Sequence, residues 1–395
     1  MMKFTAAPLL LSVILLSAGC AYSGSETAGA GPGPEPAAAS WKTNWPKHVI
    51  AQGYPNQTAV AADFTGDGLP DVIVNAEGKT RLYVAPDWKE VVIGSEQPKA
   101  TAIHSEVIDV DGDGDPDYIG AVYSPGPVFW LERPDDPLQT PWPYHLVDDE
   151  IDGTHGLIAG DVNGDGRLDL IANSAQPKGP YAESIAWYEI PPDPRQAPRW
   201  IRHVFAKGDA PGLSHYMGVG DVTGDGRADI SAAAKIPEGG NWFAWWEQPS
   251  AGGEPWKKHV LATEQEGATN ILIAELNGDG KADFIASRGH GKGILWFEAP
   301  DFKMHEINAG LEGPHSLAVG DIDGDGDMDA VTCAKDSFIA AWFENDGKGN
   351  FTTHHINEDQ AAYDIRLVDM DGDGDLDVLI AGQASKNVVW YENRR

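Results

Sequence analysis

Cysteine is almost absent from this chain: Cys20 and Cys333 are the only two in 395 residues, so no disulfide framework holds it together. Base is scarce as well. The 28 Lys and Arg stand against 61 Asp and Glu, and a formal charge of −33 argues against nucleic acid as a partner, because phosphate binding needs Lys and Arg to release counterions. No Ser-His-Asp order, phosphate loop, Rossmann glycine pattern or Cys-x-x-Cys occurs, which argues against acyl transfer, nucleotide use and redox work. What is plentiful is apolar and aromatic side chain. With 42% hydrophobic residues and 14 Trp the chain can bury a large core, so the excess of acid does not mean disorder.

The first 40 residues stand apart. Lys3 gives a short basic start, residues 5–16 are apolar but too few to span a bilayer, and Leu16-Ser17-Ala18-Gly19-Cys20 closes the run with small residues. Residues 1–20 therefore read as an export signal. Their ending resembles a bacterial lipobox with its Leu one place early, which implies a lipidated Cys20 and an extracytoplasmic chain anchored in the cell envelope; Ala21 after it resembles the pattern that sends lipoproteins to the outer membrane. Residues 21–40, rich in Ala, Gly, Pro and Ser, make a flexible tether. Cys333 reads as a small buried hydrophobe in a strand.

From residue 41 onward one nine-residue acidic pattern recurs seven times, starting at Asp63, Asp109, Asp161, Asp221, Glu275, Asp321 and Asp369, about fifty residues apart. Around each copy the order is constant. Residues 315–356 show it best: an apolar stretch, the acidic loop, a second apolar stretch, an aromatic stretch and an alternating one, four strand-length segments punctuated by Gly, Pro and Asp. Four strands repeated seven times predict an all-β fold, a seven-bladed propeller. An outer-strand motif begins at Trp45, Trp88, Trp142, Trp200, Trp256, Phe302 and Phe351, so one copy precedes the first acidic loop. An aromatic-Glu motif occurs at Trp130, Trp187, Trp245, Trp296, Trp342 and Trp390. The last blade then lacks an outer strand, and residues 45–52 are expected to supply it, closing the ring without a free edge.

Each acidic loop presents oxygen at positions 1, 3, 5 and 9: Asp63, Thr65, Asp67, Asp71; Asp109, Asp111, Asp113, Asp117; Asp161, Asn163, Asp165, Asp169; Asp221, Thr223, Asp225, Asp229; Glu275, Asn277, Asp279, Asp283; Asp321, Asp323, Asp325, Asp329; Asp369, Asp371, Asp373, Asp377. Glycines at positions 4 and 6 permit a tight turn, and such a spacing cages a hard cation, with calcium the expected ion at up to seven sites. Position 12, where an EF-hand needs Glu, holds only Val74, Gly120, Ala172, Ala232, Ala286, Thr332 and Ile380, which excludes that loop. Residues 45–395 resemble the FG-GAP/VCBS propeller repeats, the family of the integrin α-subunit propeller; the resemblance implies calcium bound between the first and second strands of a blade. Seven Ca²⁺ would offset fourteen of the negative charges.

With the acidic loops on one face, the connections between second and third strands gather on the other, around the mouth of the central channel. Six histidines, His48, His145, His203, His259, His305 and His354, hold one outer-strand position and are repeat architecture. His104, His155, His215 and His315 instead stand where inner strands begin, Tyr363 takes the same place in blade 7, and His290 lies in a connection on that face. His104, one residue out of register, is expected to point elsewhere unless it joins His155 and His215 around a transition metal. The same connections carry Lys79, Arg81, Lys178, Lys235, Arg288, Lys292, Lys335 and Lys386 against Glu77, Glu183, Glu238 and Asp336, a basic mouth suited to an anionic glycan. Tyr54, Tyr123, Tyr181, Tyr216 and Trp242 are available to stack on sugar rings.

Two functions remain open. One is a carbohydrate lyase or dehydratase working by β-elimination with His155, His215, Tyr216, Lys235 and Arg288, by analogy with propeller polysaccharide lyases and a fungal ketosugar dehydratase. The other is a non-catalytic propeller that captures a glycan or partner protein, as integrin propellers do.

Overall fold

After their leading Asp the second strands of the repeat are largely apolar, and they lie inside a blade that is covered by a neighbouring blade on each face. In the computed structural model, which describes residues 45–95, 100–236, 239–251 and 253–394, every residue of Asp71–Ala76, Asp117–Val122, Asp229–Ala234, Asp329–Ala334 and Asp377–Gly382 is buried. Covered on both faces, such strands need no polar alternation. Outer strands such as Phe351–Asn357 alternate and are half-buried, as a strand with one wet face should be. Cys20 and the segments read as signal and tether lie outside the described residues.

The described residues form seven four-stranded antiparallel sheets, six of them ordered from inner to outer strand along the chain. The inner strands are Ala59–Ala62, Ala102–Ile108, Leu157–Gly160, Ser214–Gly220, Asn270–Ala274, Pro314–Gly320 and Asp364–Val368. Each touches the next and the seventh touches the first, so the sheets close into a ring of seven blades. In blade 7 the outermost strand is Lys47–Gln52, paired with Asn387–Tyr391 in the register His48 opposite Trp390. The expected closure of the ring by the first strand is what the structure has.

Between blades sit hydrophobic clusters built largely from second and third strands, with Trp130 and Trp246 wholly enclosed and Cys333 buried among them. The six repeat histidines explain themselves here. His48, His145, His203, His259, His305 and His354 each lie flat on the Trp of the aromatic-Glu motif, at centroid separations from 4.0 to 4.7 Å. Each also meets the motif's Glu, as His145 meets Glu132 at 2.8 Å.

A second device escapes the sequence. The residue after the motif's Glu reaches back to the preceding blade: Arg133 donates to Phe64 O, Gln248 to Val162 O, Asn345 to Leu276 O and Asn393 to Ile322 O, at 2.7 to 2.9 Å. All four acceptors are position 2 of an acidic loop. Arg, Gln and Asn share no pattern, only the reach of a donor, so the latch is legible in geometry alone.

Candidate functional site

The acidic loops are shaped by their own backbone. All fourteen glycines at positions 4 and 6 have φ between 71° and 99°, the left-handed region that a side chain disfavours. That turn points amides inward. Asp63 accepts from Gly66, Asp67 and Gly68, and the first acids of the other loops do much the same. Position 9 has a further structural duty: Asp117 accepts from Val110 N with one oxygen and Arg133 N with the other, fastening the loop to the end of the third strand. Burial pushes Asp117, Asp329 and Asp377 up to about 7, and Asp169, Asp229 and Asp283 to about 6.

The loops are not equivalent. In blades 2, 6 and 7 three carboxylates bring oxygens within 4.8 Å of one another: Asp109, Asp111 and Asp117; Asp321, Asp323 and Asp325; Asp369, Asp371 and Asp377. Blades 3, 4 and 5 carry a base at position 7, and in blades 4 and 5 it turns onto the loop, Arg227 pairing with Asp225 and Lys281 with Asp279. Arg195 of blade 3 also reaches the blade 2 loop, pairing with Asp111.

On the opposite face five histidines converge. His104, His155, His215 and His315 are each at most 5% exposed. His104 does not point away: the ladder slips between Ala102 and His104, a bulge that turns its ring inward to place Nε2 3.3 Å from His155 Nδ1. His155 Nε2 lies 2.8 Å from the Tyr363 hydroxyl, and its ring stacks on His215 at 3.8 Å. Thus His104, His155 and Tyr363 form one hydrogen-bonded chain. The trio expected to share a metal is not the one brought together; the nitrogens within 4.8 Å of one another belong to His215, His290 and His315. His290, which sequence reasoning placed only on the right face, enters because the turn after Ser287 folds over the channel.

Desolvation and neighbouring positive groups hold all five rings neutral, with His155 and His290 lowered to about 3 and the others well below their usual value. Lys235 Nζ lies 3.1 Å from His290 Nε2, and burial, with Lys335 nearby, lowers it to about 8. Tyr123 stands edge-on to His155, and Tyr216 is buried with its hydroxyl donating to Tyr363 O at 3.0 Å. Below them runs the channel, a cavity of about 380 Å³ in which Arg366 pairs with Glu106 and Asp364.

Other residues singled out in the sequence lie elsewhere. Arg288 turns outward to Gln265 and Glu306. Trp242 is packed on Trp246 with its indole N–H donating to Pro211 O and Gly239 O, Tyr181 lies under Arg202, and Lys178 pairs with Asp152. The basic mouth is thinner than a count of its loops implies, because acids outside those loops pair with four of the eight bases: Glu90 with Arg81, Asp152 with Lys178, Glu306 with Arg288 and Glu312 with Lys292. Lys235 and Lys335 face the histidines, and Lys335 is itself paired with Asp336 at 2.9 Å. Glu238 lies outside the described residues.

The FG-GAP-like repeat matches at residues 109–172, 221–286, 276–332 and 321–380, more than half of the chain. The chain belongs to the FG-GAP-like repeat family. An FG-GAP propeller of this kind is a scaffold of binding or adhesion type, taking its ligand or partner at a face. No curated protein matches the chain. Among solved structures it is similar to a streptogramin B lyase (TM-score 0.60, 11% identity, 90% of this chain and all of that one). It is equally similar to BBS1N in its complex with ARL6DN (TM-score 0.60, 9% identity, 90% and 98% covered). At such identities the likeness is one of fold.

Proposed function

We propose that this FG-GAP propeller is an extracytoplasmic protein, tethered through a lipid on Cys20 and stiffened by calcium in its acidic loops, that takes an anionic sugar at the channel mouth and acts on it by β-elimination. The observation that carries the reading is the chain His104, His155, Tyr363 beside Lys235. In such an elimination a base removes the proton next to the sugar carboxylate, the electron pair forms the new C=C bond, and the C–O bond on the neighbouring carbon breaks as its oxygen takes up a proton. Lys235 supplies positive charge for the carboxylate and the developing enolate. Tyr363, joined to neutral His155, moves the proton.

Calcium fits the loops in this reading. Their buried position-9 carboxylates are costly to ionise, and a hard cation offsets that cost. Blades 6 and 7, with three converging carboxylates each, are the stronger sites; blades 2, 4 and 5, where Arg195, Arg227 and Lys281 already pair with loop carboxylates, are weaker. The streptogramin B lyase shows that a propeller of similar fold can serve as a lyase, an analogy of scaffold only.

The burial of four of the five histidines favours a second reading, a non-catalytic propeller that binds a glycan or partner protein with the outer residues of the mouth. One experiment separates the two. The protein is incubated with polyuronates and with neutral glycans, while binding is followed by calorimetry and cleavage by the absorbance of the unsaturated uronate. Cleavage lost in Tyr363→Phe with binding retained supports elimination; binding without new absorbance selects the second reading; neither, on any acidic glycan, removes the glycan altogether.

A further inference from the structure

Three of the five histidines are arranged differently from the other two. His215 and His315 come from the inner strands of blades 4 and 6, and His290 from the connection in blade 5 between Asp283–Ser287 and Lys292–Glu298, so three successive blades each contribute one ring. His215 Nδ1 lies 2.9 Å from Leu213 O, and His315 Nδ1 lies 3.0 Å from Tyr363 O. A backbone carbonyl only accepts, so in both rings Nδ1 carries the hydrogen and Nε2 the lone pair. Both Nε2 atoms are buried and have no hydrogen-bond partner.

Two buried acceptors with nothing to accept from are costly, and a native fold keeps such groups for a reason. A histidine that donates Nδ1–H to a carbonyl while offering Nε2 inward has the tautomer and the outer support of a metal ligand. His290 completes the set, its ring nitrogen within 4.8 Å of the others. Its Nε2 faces the Lys235 ammonium at 3.1 Å, whereas the other two have no donor.

We propose that His215, His290 and His315 hold one divalent first-row transition metal of the zinc class, leaving a coordination position open toward the channel mouth. Three imidazoles suit zinc, cobalt or nickel better than calcium, which prefers oxygen, and three protein ligands with an open position are the pattern of a centre that binds a further ligand rather than a closed structural one. Lys235 swings away from His290 when the ion enters and remains as a second positive group for an incoming anion. His104 and His155, committed to each other and to Tyr363, stay outside the coordination sphere. The centre does not depend on the mouth taking a glycan, since it is read from metal content alone.

The test uses the full chain purified without chelator, then reconstituted with zinc(II) or cobalt(II), with metal counted by mass spectrometry and the cobalt form examined for visible d–d absorption. The expected result is about one transition-metal ion per chain in addition to calcium, falling more than tenfold in His215→Ala, His290→Ala and His315→Ala and unchanged in His155→Ala. His290 is the least buried of the three and lies in a connection, so His290→Ala should melt as the parent does and separates loss of metal from loss of fold. A parent that takes up no zinc or cobalt, a cooperatively melting His290→Ala that keeps its ion, or loss of the ion in His155→Ala would each overturn the proposal.

Discussion

The imidazole of His48, on the first strand, lies flat on the indole of Trp390, on the last, with ring centroids 4.1 Å apart and the ring nitrogen 2.8 Å from Glu392. In five other blades the same stack joins a third strand to the fourth strand that follows it; here it joins the two ends of the described chain and so closes the ring. Trp390→Ala should therefore cost about 3–5 kcal/mol and His48→Ala about 1 kcal/mol in urea unfolding. Deleting residues 45–52 uncovers the edge of Asn387–Tyr391, and an uncovered strand edge pairs with other chains. Sedimentation should show concentration-dependent self-association of the truncated chain; a monodisperse monomer would mean the edge is covered in another way.

The latches between blades make a second prediction. Gln248 donates to Val162 O and Asn393 to Ile322 O, each crossing to the preceding blade. Truncating either to Ala leaves buried carbonyls without a donor and should cost about 1–3 kcal/mol. The two latches sit in separate blades with no shared partner, so the double variant should lose the sum to within about 0.5 kcal/mol. A double variant that unfolds in two steps would show that blades, once unlatched, stop melting as one unit.

These latches also mark where sequence stops being informative. Seven acidic loops at one spacing announce seven blades, and the early Trp45 motif announces the closure, because repetition lets weak signals reinforce one another. The histidines that line inner strands were visible for the same reason. Their partners were not. His290 reaches the cluster through the path of a turn, the bulge before His104 reverses the direction its register implies, and the bases of the mouth are neutralised by acids such as Glu306 and Glu312, which lie outside the connections that carry those bases. The first depends on the path of a turn, and the others on the exact register between neighbouring strands of one blade, which no local pattern encodes.

Inequality among the acidic loops gives the third prediction. Asp371 belongs to a loop in which three carboxylates converge, whereas Asp279 already pairs with Lys281 at 2.7 Å. If calcium occupies blades 6 and 7 most strongly, Asp371→Asn should remove about one bound ion and shrink the fall in melting temperature on adding chelator, while Asp279→Asn should change neither. At a free calcium concentration 100 times the dissociation constant, one site contributes about 2.7 kcal/mol. Calorimetric titration of the chelated protein, with melting followed in parallel, checks both numbers; equal effects of the two variants would mean that the base at position 7 does not weaken its loop.

The last prediction concerns the channel wall, where Arg366 lies against Glu106 at 2.9 Å and Asp364 at 3.4 Å. Burial raises the Glu106 carboxyl above its usual value even with the guanidinium beside it. Arg366→Met would leave two carboxylates near each other in the channel wall without their cation, and breaking a buried pair in this way should cost about 3–5 kcal/mol. The loss should depend on pH with a definite sign. A carboxyl whose folded value is raised binds more protons folded than unfolded, so its ionisation penalty grows as pH rises above the unfolded value near 4.5. Acidifying Arg366→Met from neutral pH toward 5 should thus recover part of the lost stability, a larger recovery than in the parent, where the guanidinium holds the carboxyl lower, and adding Glu106→Gln should recover it at neutral pH by removing one of the opposed charges. Urea unfolding of the three proteins at both pH values decides the matter. If Arg366→Met is equally unstable at both, the guanidinium acts by filling the channel, and its donation to Ser105 O at 2.9 Å becomes the contact to test next.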